Sequence, residues 1–264
     1  MFEARARYRV PSATRALALL EFLAGEREPR GVSYLSRGMG IPKSSCFSLL
    51  LTLEGAGYVT RNDSDEWSLT LRLYHVGMLA ARSVNVLVLA KPILQELVDR
   101  TGLTAHLGVL EGNRVLYADK VEAPGMVRFD TYPGKQASLH LTAIGRAVAS
   151  LLDERQLDRL LDGYEFERGA NCKLRSKSSF QRELVRVRAQ GFALENEEET
   201  PGVICVAAPV QAAGAVTAAA VGITALAAQL RELTLEMVSA SVREAADALS
   251  LLLGERVAPH AAIS

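Results

Sequence analysis

Apolar residues recur at helical spacing through the first third of the chain and at alternate positions through much of the rest. In PSATRALALLEFLAGE, Ala16, Leu19, Leu20 and Leu23 share one face, Ser12 stands where an N-cap would and Gly25 is a stop. VSYLSRGMG predicts a short second helix that holds Tyr34, Leu35 and Met39 inward and ends at Gly40. In IPKSSCFSLLLTLEGAGYV, Cys46, Leu49, Leu50 and Leu53 follow an i, i+3, i+4, i+7 stripe. Pro42 falls where a missing N–H costs nothing, and the helix ends near Gly55 and Gly57. YVTRNDSDEWSLTLRL alternates on both sides of Asn62-Asp63-Ser64-Asp65, which reads as a β-hairpin. Three short helices followed by a hairpin are the layout of a winged helix-turn-helix, here over residues 1–72.

From Leu73 to Thr101 the period is helical again, interrupted by SVNV and Pro92. This predicts a linker helix over 73–90, followed by the first helix of a second domain over 91–254. TAHLGVLEGNRVLYADKVEA alternates around Gly112-Asn113, a hairpin turn, and GMVRFDTYPGKQASLHLT adds one or two strands. Helices are predicted from Thr142, over Asp153–Leu161, over Lys177–Gln190 and from about Leu230 to Leu253. GVICVAAPV and AVTAAAVGIT read as central strands of a covered sheet, and residues 255–264 as a disordered tail. The fold class is therefore α+β: a DNA-binding type of head, then an α/β domain.

Composition changes this picture little. Of 264 residues, 49% are hydrophobic and 23% charged, ordinary values for a globular protein. No apolar run reaches the roughly 18 residues of a membrane span, and the arginine-bearing N-terminus lacks the apolar stretch of a signal peptide. A bacterial-type cytoplasmic protein with no membrane partner is expected. Cys46, Cys172 and Cys205 are odd in number and widely spaced, which predicts neither a disulfide framework nor a metal knuckle. No cofactor motif is present. Net charge is zero, yet residues 1–90 carry 11 Lys+Arg against 8 Asp+Glu, a weakly basic balance pointing toward nucleic acid.

The candidate chemistry lies in two places. A recognition helix reads base edges from its first turns. Ser44, Ser45, Ser48 and Thr52 offer hydroxyls there, and Lys43 suits a phosphate at the positive helix end. Phe47 and Leu51 share the outward face, free to meet thymine methyls or the wing, and Arg61 on the wing would reach backbone or minor groove. In the second domain, a helix starting at Thr142 leaves the N–H groups of Ala143, Ile144 and Gly145 without helical partners, an end that attracts a carboxylate. If the strands around Cys205 and Thr224 pack nearby, they supply an apolar wall with a thiol and a hydroxyl. Cys205 also fits a buried packing residue, His106 and His140 fit structural roles, and ENEEE fits a solvated loop. Cys205 with His106 or His140 would make the nucleophile and base of a cysteine-dependent enzyme, but no spacing joins them.

These segments together resemble the IclR family of bacterial transcriptional regulators. IPKSSCFSLLLTLEGAGYV is similar to the family's Pro-Lys-Ser-Thr helix ending in Leu-Glu-x-x-Gly-Tyr-Val. The likeness continues in order through LYADKVEAPGMVRFDTYPGKQASLHLTAIGRAVAS and GFALENEEETPGVICVAAPV, covering about residues 11–254. It implies a winged-helix domain, a dimerising linker helix and a GAF-like effector domain. Such proteins act as dimers or tetramers on palindromic double-stranded operators, here most simply as a repressor of adjacent catabolic genes. The family commonly has a basic residue at Ser48, so the resemblance shifts phosphate contacts to Lys43, Arg37, Arg15 and Arg61. It places effector contacts at Ala143 and Ile144, at Glu195, at Cys205, and at Gly222 and Thr224; Gly145 at the same helix start and Val203 on the Cys205 strand complete the candidate set. Glu195 stands where relatives often have Asp. Gly222 replaces a frequent Ser, which is expected to make room for a bulkier or aromatic acid.

Overall fold

Helix α1 (Pro11–Ala24) opens the computed structural model, which describes residues 10–81, 85–211 and 218–257. The chain divides into two units, residues 1–83 and 84–264. In the first, α1 is followed by β1 (Arg30–Gly31), α2 (Val32–Gly38), α3 (Lys43–Gly55), β2 (Val59–Arg61), β3 (Glu66–Leu69) and α4 (Arg72–Ala81). The three strands pair antiparallel in the order β1-β3-β2. Leu19, Leu20 and Leu23 of α1 meet Leu35 of α2 and Cys46, Leu50 and Leu53 of α3 in one core, closed by Val59 and Trp67 of the wing.

Both helix ends that set this geometry are Schellman motifs. After α2, the amide of Ile41 donates to Ser36 O and that of Gly40 to Arg37 O, with Gly40 at φ +62°. After α3, Tyr58 donates to Leu53 O and Gly57, at φ +80°, to Glu54 O. Three expectations are corrected here. The N-cap of α1 is Val10 with Pro11 at the first helical position, so Ser12 lies inside the helix. Tyr34 is exposed: its hydroxyl donates to Glu26 and Arg30 lies 5.0 Å over its ring. Leu49 is only partly buried.

The second unit runs α5 (Asn85–Thr101), β4 (Thr104–Glu111), β5 (Arg114–Val121), β6 (Gln136–Ser138), α6 (Ala143–Ser150), α7 (Glu154–Leu160), α8 (Lys177–Gln190), β7 (Ala193–Asn196), β8 (Val203–Val210), β9 (Ala219–Leu226), α9 (Gln229–Glu232) and α10 (Leu235–Val257). Its sheet has the order β6-β5-β4-β9-β8-β7, every neighbouring pair antiparallel. One face, with Leu107, Val206, Val221 and Ile223, packs on α5 and α10. The other, with Val115, Tyr117, Ala207 and Ala220, packs on α6 and α8.

Of the linker helix expected over 73–90, the described residues give one helix over Arg72–Ala81 and a second from Asn85. The second runs unbroken through Pro92, because Ala90, Ile93, Leu94, Leu97 and Val98 anchor it in the core on both sides of the proline. The final helix extends to Val257, beyond the expected end at Leu253. Residues 1–9, 82–84 of the expected linker helix, 212–217 and 258–264 of the expected tail lie outside the described residues.

Candidate functional site

Helix α3 presents Lys43, Ser44, Phe47, Ser48, Leu51 and Thr52 to solvent, with Ser45 half-buried. Two of these hydroxyls are already committed. Ser48 donates to Ser44 O at 3.0 Å and Thr52 to Ser48 O at 2.8 Å, the back-bonding typical of hydroxyls inside a helix. Their oxygens remain acceptors, so among the predicted hydroxyls Ser44 is the exposed one not drawn to its own helix. Phe47 stacks edge-on to Trp67 of β3 at 6.3 Å between ring centres, tying helix to wing. Arg61 lies 5.8 Å over the Trp67 ring and pairs with Asp65 through Nε at 2.8 Å. The wing cation is therefore held by an aromatic ring and a carboxylate. Arg15 on α1 and Arg37 on α2 are both exposed. Sequence reasoning overlooked Trp67, though a lone Trp in the second strand of a hairpin was a visible signal for an anchor.

In the second unit the register of the sheet assembles polar rows on its α6 face. Glu195, Cys205, Thr224 and Thr104 stand side by side across β7, β8, β9 and β4. The next row is Ala193, Ala207, Gly222, His106 and Lys120. The start of α6 lies above these rows. Thr142 caps it, accepting from the Gly145 amide at 3.0 Å and donating to Ser138 O at 3.2 Å. The amides of Ala143 and Ile144 are left without helical partners. A cavity between helix and sheet is lined by His106, Tyr117, Thr142, Ala143, Ile144, Cys205, Ala207, Gly222 and Thr224 among others. Its volume is ≈ 10 Å³, about the space of one water.

Five of the eight predicted effector residues thus meet at one cavity: Ala143, Ile144, Cys205, Gly222 and Thr224. Three do not line it. Gly145 is capped by Thr142, and a methyl there would come 2.6 Å from Leu139 Cα, so it is a packing glycine. Val203 lies one step farther along β8, opposite Leu226. Glu195 turns to its own loop, its Oε1 accepting from the amides of Glu198 at 2.6 Å and Glu199 at 3.0 Å. The expected room at Gly222 is absent too. A methyl there would sit 2.9 Å from Ala207 Cβ and 2.9 Å from Val206 O, so the glycine serves close strand packing.

The acidic run is not a solvated loop. Arg146, buried on α6, donates to Glu198 through both terminal nitrogens at 3.0 and 2.8 Å, and to the carbonyls of His140 and Leu194 at 2.8 Å each. Glu197 accepts from the Gly202 amide at 2.7 Å. Burial pushes the Glu195 carboxyl up, against the pull of its amide bonds. His140 is structural, as expected: its Nδ1 pairs with Tyr164 Oη at 2.8 Å and its Nε2 with Glu167 O at 3.0 Å.

His106, expected to be structural, lines the cavity, because the register of β4 against β9 brings it there. Its Nε2 is 3.1 Å from Thr224 Oγ1, which is 3.4 Å from Cys205 Sγ. Burial, with help from Lys120, drives the imidazole down to about 3, so it is neutral. Burial and the Glu195 charge push the Cys205 thiol up, which keeps it a thiol and not a nucleophilic thiolate. Among the described residues no group of His, Cys, Asp and Glu is arranged to hold a metal, and no helix is long and apolar enough to cross a membrane.

The chain matches the model of the IclR helix-turn-helix domain over residues 12–63 and that of the bacterial transcriptional regulator IclR C-terminal domain over residues 78–251. It is 32% identical to the HTH-type transcriptional regulator XynR of Escherichia coli (strain K12), over 93% of this chain and 98% of that one. Among solved structures it is similar to IclR of Thermotoga maritima, at 26% identity and a TM-score of 0.74, over 92% of this chain and 98% of the other. The same fold is seen in an IclR homolog from Microbacterium hydrocarbonoxydans complexed with 4-hydroxybenzoate, at 17% identity and a TM-score of 0.79, over 92% and 98% of the two chains.

Proposed function

The chain belongs to the IclR family of bacterial transcriptional regulators, a DNA-binding family and not one of enzymes, and from that premise we propose a homo-oligomeric repressor released by a small organic acid. Helix α3 enters the major groove, Ser44 and Ser45 facing base edges and Lys43, Arg15, Arg37 and Arg61 facing phosphates. Ser48 and Thr52 accept hydrogen bonds from exposed base amino groups. Oligomer formation is supported by Leu17 of α1 and by Leu71, Tyr74 and Val76 at the start of α4, all large apolar residues left exposed within the first unit. An oligomer with paired heads would cover half-sites about 34 Å apart.

The carboxylate of the effector binds the open amides of Ala143 and Ile144, with Cys205 and Thr224 on the sheet side. The observation that carries this reading is the meeting of a capped helix start with a buried polar row at one cavity. That cavity now holds about one water's volume, so a ligand must displace the first turn of α6, and an aromatic acid must displace it farther. The displacement supplies the two states that regulation needs. That the Microbacterium homolog is complexed with 4-hydroxybenzoate supports an acid as effector. Selection of bound sequences from a random duplex pool tests the DNA half. Enrichment of an inverted repeat supports paired heads, and recovery of sequences without dyad symmetry would oppose them.

A further inference from the structure

The outward stripe of α3 is Ser44, Phe47, Ser48 and Leu51, at i, i+3, i+4 and i+7. It holds little of what usually reads a base. Between Lys43 and Gly55 there is no Arg, Asn or Gln, the side chains that clasp guanine or adenine with two hydrogen bonds. The hydroxyl protons of Ser48 and Thr52 are spent inside the helix, on the carbonyls of Ser44 and Ser48. What the stripe does hold, in its second turn, is an aromatic ring. Phe47 is 37% exposed, on a helix whose inward residues Cys46, Leu50 and Leu53 are buried in the core. Its ring meets Trp67 edge to face, with 6.3 Å between centres and the planes at 80°. Trp67 is itself 1% exposed and carries the Arg61 guanidinium 5.8 Å over its ring. Core and wing thus brace Phe47, yet leave more than a third of the residue uncovered.

We infer that Phe47 is a specificity-determining residue for DNA: its exposed ring surface covers the C5 methyl of a thymine in the major groove. This rests on the reading that α3 enters that groove. The thymine methyl is the apolar group of the major-groove edge, whose other readable groups are hydrogen-bond donors and acceptors. An aromatic ring laid over those strips their water and returns no hydrogen bond, so it penalises every base but thymine at its step. Laid over a methyl, it takes apolar surface of both partners out of water. Because Trp67 already holds the ring, little rotamer freedom is lost when DNA arrives. Leu51 continues the stripe one turn farther from the end that reads bases. A second copy of the chain suits this stripe less well than DNA does. Phe47 and Leu51 alternate with Ser44 and Ser48, and Lys43 lies beside them at the positive helix end. That pattern matches a polar, anionic partner carrying isolated methyl groups.

The test uses the intact protein and a duplex selected from a random pool. Each thymine of the bound footprint is replaced in turn by uracil, which removes the methyl alone, and affinity is read by anisotropy. At one thymine per half-site the replacement should weaken binding about three- to tenfold. Phe47→Ala should bind the thymine and uracil forms of that site within about twofold of each other. Trp67 fluorescence checks that the variant is folded. A second readout needs no variant: 5-iodouracil at the sensitive position, irradiated in the complex, should cross-link to the peptide containing Phe47. Protection of guanine N7 from dimethyl sulfate reports separately whether the major groove is filled. If the N7 atoms are shielded and no thymine is sensitive to loss of its methyl, the inference falls while the groove reading stands. Full sensitivity in folded Phe47→Ala, or a cross-link to another segment, also overturns it. A flat uracil scan, with an oligomer that dissociates in Phe47→Ala, would assign the stripe to contacts between copies instead. If the N7 atoms stay as reactive as in free DNA, the groove reading fails and takes this inference with it.

Discussion

Gly108 of β4 lies directly beneath Ile144 of α6: a methyl on Gly108 would stand 2.8 Å from Ile144 Cγ1 and 2.9 Å from its Cδ1. The opening turn of α6 therefore rests on bare strand backbone, and the helix start comes down onto the polar rows of the sheet because one side chain is missing. Val115 Cγ2, 2.9 Å from the same point, closes the remaining side.

Gly108→Ala should overpack this contact and destabilise the protein by about 1–3 kcal/mol in denaturant unfolding. In an Ile144→Ala background the same change should cost less, with a coupling above about 0.5 kcal/mol in the double-mutant cycle. Additive effects would mean that helix and strand do not bear on each other here.

Arg146 and Glu198 form a buried bidentate pair that fixes the acidic loop to α6. Replacing Arg146 by Met leaves a partly buried carboxylate without its cation and should cost about 3 kcal/mol at pH 7, the low end for a broken buried pair because Glu198 keeps some exposure. Burial alone would push the Glu198 carboxyl up, but Arg146's hydrogen bonds and charge outweigh it and hold the group below the usual carboxylate range. A depressed folded value stabilises above the unfolded value and loses that contribution as pH falls through the folded one. The gap between wild type and Arg146→Met should therefore be full at neutral pH and close as pH falls. Closure begins above the ordinary glutamate value, because burial without Arg146 raises Glu198 in the variant, and ends below it, where the wild-type carboxyl protonates too. Glu195, whose shift has the opposite sign, is present in both proteins and largely cancels in the comparison.

Gly40 closes the turn between α2 and α3 at φ +62°, where a Cβ is strained. Gly40→Ala should destabilise the first unit by about 1–2 kcal/mol and weaken DNA binding at elevated temperature, read by the unfolding of Trp67 fluorescence. An unchanged transition would show that the turn relaxes freely.

Lys43 and Ser44 should behave differently on DNA. Lys43→Ala should weaken binding to operator and random duplex alike and lower the salt slope by about 1. Ser44→Ala should cost about 1 kcal/mol on the operator and little on random DNA. Ser48→Ala should cost less than Ser44→Ala, since the Ser48 proton is already spent on Ser44 O. Filter-binding titrations at several salt concentrations separate these outcomes.

Local signals were legible where one residue dictates the backbone. α8 over Lys177–Gln190 and the start of α6 at Thr142 lie where the sequence predicts them, and Ser176 and Gly191 bracket the former. The hairpins around Asn62–Asp65 and Gly112-Asn113 are likewise local. What stayed hidden depends on cross-strand register and on packing depth. His106 joins the cavity through its pairing with Gly222, 116 positions away, and no pattern within β4 announces it. Gly222 looked like spare room because its neighbour Ala207 comes from another strand. The run after Glu195 looked like a solvated loop because its partner, Arg146, sits on a distant helix.

The most direct measurement is fluorescence anisotropy of the intact chain on a labelled operator duplex, with and without an acid shown by calorimetry to occupy the α6 cavity. The account predicts that saturating acid weakens operator affinity about five- to 150-fold, a coupling of about 1–3 kcal/mol, and that Ile144→Ala alters this coupling. Operator affinity identical in the two titrations, with the cavity demonstrably filled, would contradict it.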